Sequence, residues 1–225
     1  MASFASRLAE IQATIGRHAE KAARDPAEVR IVAVTKTFPV ERIREAIAAG
    51  HHRFGENRVQ EALPKMAELS GDECEWHLIG HLQTNKARMV EDFSMIQSID
   101  SVRVVDALAA RMHRPLDVLI EVNVGEEPQK TGASPAEIEP IVRALQSNPA
   151  LRLKGLMTIA PLTNNPEAAR PFFHSLRLLR DESRQRFGVE LPELSMGMTD
   201  DYPAAVEEGA TLLRLGRALF GPRSL

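Results

Sequence analysis

Eight short strand candidates, with helical segments between them, predict an α/β fold: a (β/α)8 barrel with one extra helix in front. These candidates lie near positions 31, 53, 77, 95, 119, 155, 194 and 213. Strict strand-then-helix alternation implies parallel strands joined by right-handed crossovers. A chain of 225 residues suits eight such units at the small end of the range for TIM-type barrels. No linker-like or low-complexity segment and no internal repeat divides it, so 1–225 is expected to be one domain, with 1–24 a helix packed on the barrel. A doubly wound sheet is the competing arrangement. It calls for a glycine-rich first turn, and Thr35-Lys36-Thr37 is not one.

Ser3 is a candidate N-cap, and Phe4, Leu8, Ile11 and Ile15 recur at helical spacing, giving a helix to about Arg24 that Asp25-Pro26 breaks. Val29 to Thr35 contains Ile31-Val32-Ala33-Val34, a strand buried on both faces. Pro39 suits a first helical turn, and the helix through Ile43 and Ile47 stops at Ala49-Gly50. His51 to Phe54 is a short strand leading to Gly55-Glu56-Asn57, and a helix carries Val59, Leu63 and Met66. Trp76 to Ile79 is the third strand, Thr84 caps a helix to about Val90, and Ser94 to Ile96 is the fourth. Ser101 caps a helix holding Val104, Val105 and Leu108. Leu116 to Val124 is the clearest strand, Ser134-Pro135 opens a helix through Ile138, Ile141 and Leu145, and Leu151 to Ile159 is the sixth strand. A helix with Phe172, Phe173, Leu176 and Leu179 follows, with Pro171 near its start. Glu193 to Ser195 is a brief strand, Asp200 to Glu208 a short helix, Thr211 to Leu215 the last strand, and Ala218 to Phe220 begins a final helical turn.

Composition narrows the function classes. Apolar content of 44% and charged content of 26% are those of a soluble globular protein. A net charge of −3 supplies no pull toward nucleic acid or anionic membrane. The single cysteine, Cys74, excludes an internal disulfide and fits a reducing cytoplasm. No basic segment with an apolar core opens the chain, and no run approaches the length of a membrane span. A cytoplasmic protein is expected.

In a barrel the active face is where strands end. Those exits carry Lys36, Gly55-Glu56-Asn57, Gly80-His81, Asn123, Met157-Thr158, Ser195-Met196-Gly197-Met198-Thr199 and Arg214-Leu215-Gly216-Arg217. A lysine on the rim of a core is partly desolvated, which favours the neutral amine that forms Schiff bases with aldehydes. The plainer account of Lys36 is a lysine marking where the strand meets water. Small and hydroxylated residues at exits seven and eight suit a phosphate, although each singly is explained as a turn glycine or a helix cap. Arg214 lies within the last strand, either paired with a barrel carboxylate such as Glu121 or donating to a ligand ring atom. Cys74, His77 and His81 resemble metal ligands only superficially, since they read as strand and loop rather than one helical face. Glu73 and Glu75 should raise the Cys74 pKa. Lys130, in Lys130-Thr131-Gly132, reads as an exposed loop lysine, and Tyr202, the sole tyrosine, as a packing residue at the start of a short helix. There is no Walker loop, His-Glu-x-x-His or nucleophile elbow.

From about residue 7 to 222 the chain resembles the pyridoxal 5′-phosphate homeostasis proteins, single-domain relatives of the bacterial alanine racemase barrel (the YggS and PROSC group). The matching motifs are Ala33-Val34-Thr35-Lys36-Thr37, Phe54-Gly55-Glu56-Asn57-Arg58-Val59-Gln60-Glu61 and Trp76-His77-Leu78-Ile79-Gly80-His81-Leu82-Gln83-Thr84-Asn85-Lys86. Lys130-Thr131-Gly132, Gly155-Leu156-Met157-Thr158, Ser195-Met196-Gly197-Met198-Thr199-Asp200 and Arg214-Leu215-Gly216-Arg217-Ala218-Leu219-Phe220-Gly221 continue the series in order.

The resemblance implies that Lys36 carries pyridoxal phosphate as a Schiff base, with Asn57, His77 and Met157 in the cofactor site. It implies a phosphate on the Ser195, Gly197 and Thr199 loop and on the backbone of Gly216 and Arg217, and Arg214 facing the pyridine nitrogen. A guanidinium there disfavours ring protonation and makes a poor electron sink. Thr199 stands where the family usually has serine, which keeps the hydroxyl. Arg217 stands where threonine is frequent, which leaves only backbone donors there. Two functions are then open: a carrier that buffers or delivers the cofactor, with pyridoxal phosphate-dependent apoenzymes as transient partners, and a small amino-acid racemase. Racemisation needs an acid/base on each face, and only Lys36 is evident, so the carrier is favoured. A barrel for another phosphorylated metabolite is the third alternative. A monomer is expected.

Overall fold

The computed structural model describes residues 2–127, 129–161 and 165–222. Eight parallel strands close into a barrel in chain order: β1 (Arg30–Val34), β2 (Arg53–Glu56), β3 (Glu75–Leu78), β4 (Met95–Ile99), β5 (Leu116–Glu121), β6 (Leu151–Met157), β7 (Glu193–Ser195) and β8 (Leu212–Leu215). Closure is made by β1 pairing with β8, Val32 opposite Arg214 and Ala33 opposite Leu215. The expected (β/α)8 barrel is what forms, and all eight strand positions are met.

The helices are α1 (Phe4–Lys21), α2 (Val40–Ala48), α3 (Val59–Glu68), α4 (Val102–Ala109), α5 (Ile138–Gln146), α6 (Arg170–Phe187), α7 (Tyr202–Glu207) and α8 (Arg217–Phe220). Most of the apolar core lies between helices and sheet, and a smaller cluster of Val32, Met95, Leu119, Met157 and Leu212 fills the barrel itself. Among the described residues no helix is long and apolar enough to cross a membrane.

α1 starts as the sequence suggests, with Ser3 Oγ accepting from the Ser6 amide (3.1 Å). Its buried stripe of Phe4, Leu8, Ile11, Ile15 and Ala19 faces the barrel, and His18 and Lys21 both reach Glu207 at 2.7 Å. Ser3→Ala is therefore expected to cost about 1 kcal/mol, a Tm drop of roughly 2–4 °C in a chain of this size, readable by calorimetry.

Several boundaries differ from expectation. After β3 there is no α-helix: Thr84–Met89 is a 3₁₀ segment whose N-cap is Gln83, so Thr84 caps nothing. Thr84-Asn85 are weak helix formers that compete for their own backbone, and the segment buries only Ala87. Ser101 is at the N-cap of α4, but its hydroxyl donates to Asp100 instead of capping. β5 stops at Glu121 rather than Val124, leaving an isolated bridge from Val122 to Ala133. β6 stops at Met157, α7 begins at Tyr202, and α1 ends at Lys21 because Ala23 turns left-handed.

Candidate functional site

Strand alternation puts Val32 and Val34 on the same face of β1, and Lys36 follows two residues on. Val32 belongs to the cluster inside the barrel, and Lys36 lies in the turn just past the end of β1. Lys36 is half-buried. Its strand neighbours are β2, through Val34 opposite Gly55, and β8. A Cβ on Gly216 would lie 3.5 Å from the Val34 carbonyl oxygen, which places the start of α8 beside the end of β1. Asn57 leaves β2 at the same end, half-buried. A side chain on Gly80 would collide with the Asn57 carbonyl oxygen at 2.4 Å, so exits two and three are in backbone contact.

Inside the barrel a polar chain crosses four strands. Gln97 on β4 donates to His77 Nδ1 (2.8 Å) and accepts from Ser195 Oγ (2.6 Å). Arg214 on β8 donates to Ser195 Oγ (2.7 Å) and to the Thr158 carbonyl (2.8 Å). Gln97 and Ser195 are fully buried, and His77 and Arg214 nearly so. Burial, then the charges of Arg53 and Arg30, pulls the His77 pKa from 6.5 to about 3, so its imidazole is neutral and Nδ1 accepts. Burial likewise lowers Arg214 to about 10, opposed by Glu121 and Asp201.

This chain was half legible beforehand. Gln97 is absent from the strand-exit candidates, and the signal that marks it is a pair of polar residues, Gln97-Ser98, between Ile96 and Ile99 in a fully buried strand. His77 reaches the site only through Gln97 and Ser195. Arg214 is bonded to Ser195 and Thr158 rather than to Glu121, whose Oε1 accepts from Thr131 (2.6 Å). Burial raises the Glu121 pKa. Met157 is fully buried in the apolar cluster inside the barrel.

Exits seven and eight are joined. Thr199 Oγ1 accepts from the Ala218 amide (3.3 Å), and Arg217 donates to Asp200 (3.1 Å). Gly197 has φ 92°, and a Cβ there would stand 2.6 Å from Ala205 Cβ, so only glycine lets α7 pack so close to this loop. Asp201 accepts from the Met198 amide (2.6 Å), closing the turn. The Ser195 hydroxyl is spent inside the barrel and the Thr199 hydroxyl oxygen on α8. The Arg217 side chain is tied to Asp200 on the surface.

Other candidates fall elsewhere. His81 pairs with Asp100 (2.9 Å) while His77 is inside the barrel, and no group of three metal-ligating side chains occurs among the described residues. The Cys74 pKa is raised first by burial and then by Asp72, not by its two flanking glutamates. Lys130 is half-buried and ion-paired with Glu127 (2.6 Å), not the exposed lysine that its loop suggested. Tyr202 opens α7, partly buried against the core.

Comparison with known proteins matches residues 7–224 to the family described as alanine racemase, N-terminal domain. A pyridoxal phosphate homeostasis protein of Aquifex aeolicus is 42% identical, over 96% of this chain and 97% of its own. One from Pseudomonas aeruginosa is also 42% identical, over 99% and 97%. The structure of PipY from Synechococcus elongatus, with pyridoxal phosphate bound, superposes with a TM-score of 0.86 at 38% identity, covering 97% of this chain and 100% of that one. With its barrel closed, its strand-exit motifs in order and full-length relatives on every side, this chain belongs to the alanine racemase N-terminal domain family, among the pyridoxal phosphate homeostasis proteins.

Proposed function

We propose that the protein is a carrier that holds pyridoxal phosphate as a Schiff base on Lys36 and buffers or delivers it to apoenzymes in the cytoplasm. The observation that carries this reading is the juxtaposition of Lys36, at the half-buried end of β1, with the start of α8 on the neighbouring strand. The donor set fits the group. Pyridoxal phosphate supplies an aldehyde that condenses with an amine and releases water. Lys36 supplies the amine. Backbone donors at the Gly197 to Thr199 loop and at Gly216-Arg217 hold the phosphate, and Asn57 flanks the ring. Met157 and Val32 supply the apolar floor.

Among the described residues two of the five guanidinium N–H groups of Arg214 are engaged, by Ser195 and Thr158. The fixed positive charge keeps a neighbouring pyridine nitrogen unprotonated and so opposes carbanion chemistry. Relatives named as homeostasis proteins rather than as racemases support the same reading.

The test is spectroscopic. Protein mixed with pyridoxal phosphate should absorb as a Schiff base, and borohydride should leave a mass adduct that maps to Lys36. Lys36→Ala should lose both, and Arg214→Glu should alter the absorbance. An adduct on another lysine, or none, rejects the attachment. Enzyme-like racemisation of alanine or serine rejects the carrier.

A further inference from the structure

The peptide groups on either side of Lys36 are both held by side chains of α3. Lys65 Nζ donates to the Thr35 carbonyl (2.9 Å), and the Thr37 amide donates to Glu61 Oε1. Lys65 also donates to Glu61 Oε1 (2.9 Å) and to Glu56 Oε1 (2.7 Å), and Glu56 accepts from Thr35 Oγ1 (2.7 Å). All three ammonium donors are thereby used. Lys65 is 8% exposed and Glu56 is fully buried.

Thr37, the residue after the lysine, has φ 67°, a left-handed backbone that β-branched residues rarely adopt. Such a conformation persists only where its surroundings over-determine it. Phe38 closes the turn from the other side, its amide donating to the Thr35 carbonyl (3.0 Å) and its ring lying 4.8 Å from that of Phe220. A strand end that only had to meet water would need neither a buried lysine with two carboxylates nor a strained threonine.

We infer that Lys65 and Glu61 are positioning residues, a clamp from α3 that holds the Thr35-Lys36-Thr37 turn and sets the direction in which the Lys36 side chain leaves the backbone. The inference deepens the reading of Lys36 as the attachment point and rests on it. Lys65 and Glu61 act through the two peptide groups that flank Lys36.

Hydrogen exchange and three variants test the clamp. In the wild-type protein, with and without pyridoxal phosphate, the Thr37 amide should be protected from hydrogen exchange. Glu61→Ala should weaken Schiff-base formation, followed by absorbance, by about tenfold, the loss of one charge-assisted hydrogen bond. Glu61→Gln keeps an acceptor and should stay within about threefold of wild type. Adding Thr37→Gly to Glu61→Ala should restore most of the binding, because glycine takes the left-handed conformation without support. A merely structural Glu61 would lower Tm in both variants with no such rescue.

Wild-type binding by Glu61→Ala, or no recovery on adding Thr37→Gly, overturns the clamp. Should Glu61→Ala not fold, the wild-type exchange decides: a Thr37 amide exchanging at open-loop rates overturns it, and a protected one upholds it. A borohydride adduct on Lys36 beside a fast-exchanging Thr37 sinks the clamp alone. A protected Thr37 without any Lys36 adduct sinks the attachment alone.

Discussion

Arg214→Met is expected to destabilise the protein by about 2–4 kcal/mol, measured as a shift of the urea midpoint at constant slope. Methionine fills much of the volume but donates nothing. The Thr158 carbonyl and the Ser195 hydroxyl would each lose a charge-assisted donor where almost no water reaches, since Thr158 is 1% exposed and Ser195 fully buried. An unmet buried acceptor costs about 1–3 kcal/mol. The release of a buried guanidinium from its desolvation penalty offsets part of this. Ser195→Ala added to Arg214→Met should cost less than the sum of the two single changes, because they share one bond. A shift below about 1 kcal/mol for Arg214→Met would mean that the network across the barrel contributes little to the fold.

The second large effect is on pH. His77 is held neutral, its pKa lowered by burial from 6.5 to about 3. Below pH 6.5 the unfolded chain binds a proton at this histidine that the folded chain refuses, so stability falls as the pH falls through that window and levels off near pH 3. The slope approaches about 1.4 kcal/mol per pH unit for one such proton. His51, also lowered by burial, acts in the same sense. Glu56, Glu121 and Asp201, all raised by burial, act in the opposite sense because the folded chain holds their protons longer. A difference measurement isolates the histidine. The stability of wild type minus that of His77→Gln should decline steadily as the pH is lowered from 7 to 4, since glutamine offers Gln97 a polar partner that does not titrate. A flat difference would show that His77 is protonated or solvated in the folded protein.

The barrel was legible because eight short strand-like stretches alternate with helix-period segments, and the first turn lacks the glycines that a doubly wound sheet calls for. Helix ends were less legible. Thr84 and Ser101 have the chemistry of N-caps, yet one lies inside a 3₁₀ segment and the other bonds to Asp100. A capping side chain states a local preference, and neighbours from elsewhere in the chain decide which partner it takes. Arg214 shows the same limit. Its place in β8 announced a functional or paired arginine, but its hydrogen bonds go to Ser195 and Thr158 rather than to Glu121.

The site divides along the same line. Lys36 and the exits at Gly197 and Gly216 follow from where strands stop, which is a property of the sequence alone. Gln97 as the link between His77 and Ser195 does not, and neither does the hold of Lys65 and Glu61 on the turn around Lys36. Those partners lie on different strands or on a helix after the next strand. Hydrogen bonds of this kind exist only once closure of the barrel brings their elements within about 3 Å of one another. The sequence by itself determined that a lysine would end the first strand of a closed barrel. Only the tertiary structure decided how that lysine is held, because its backbone is fixed by side chains that no local pattern joins to it.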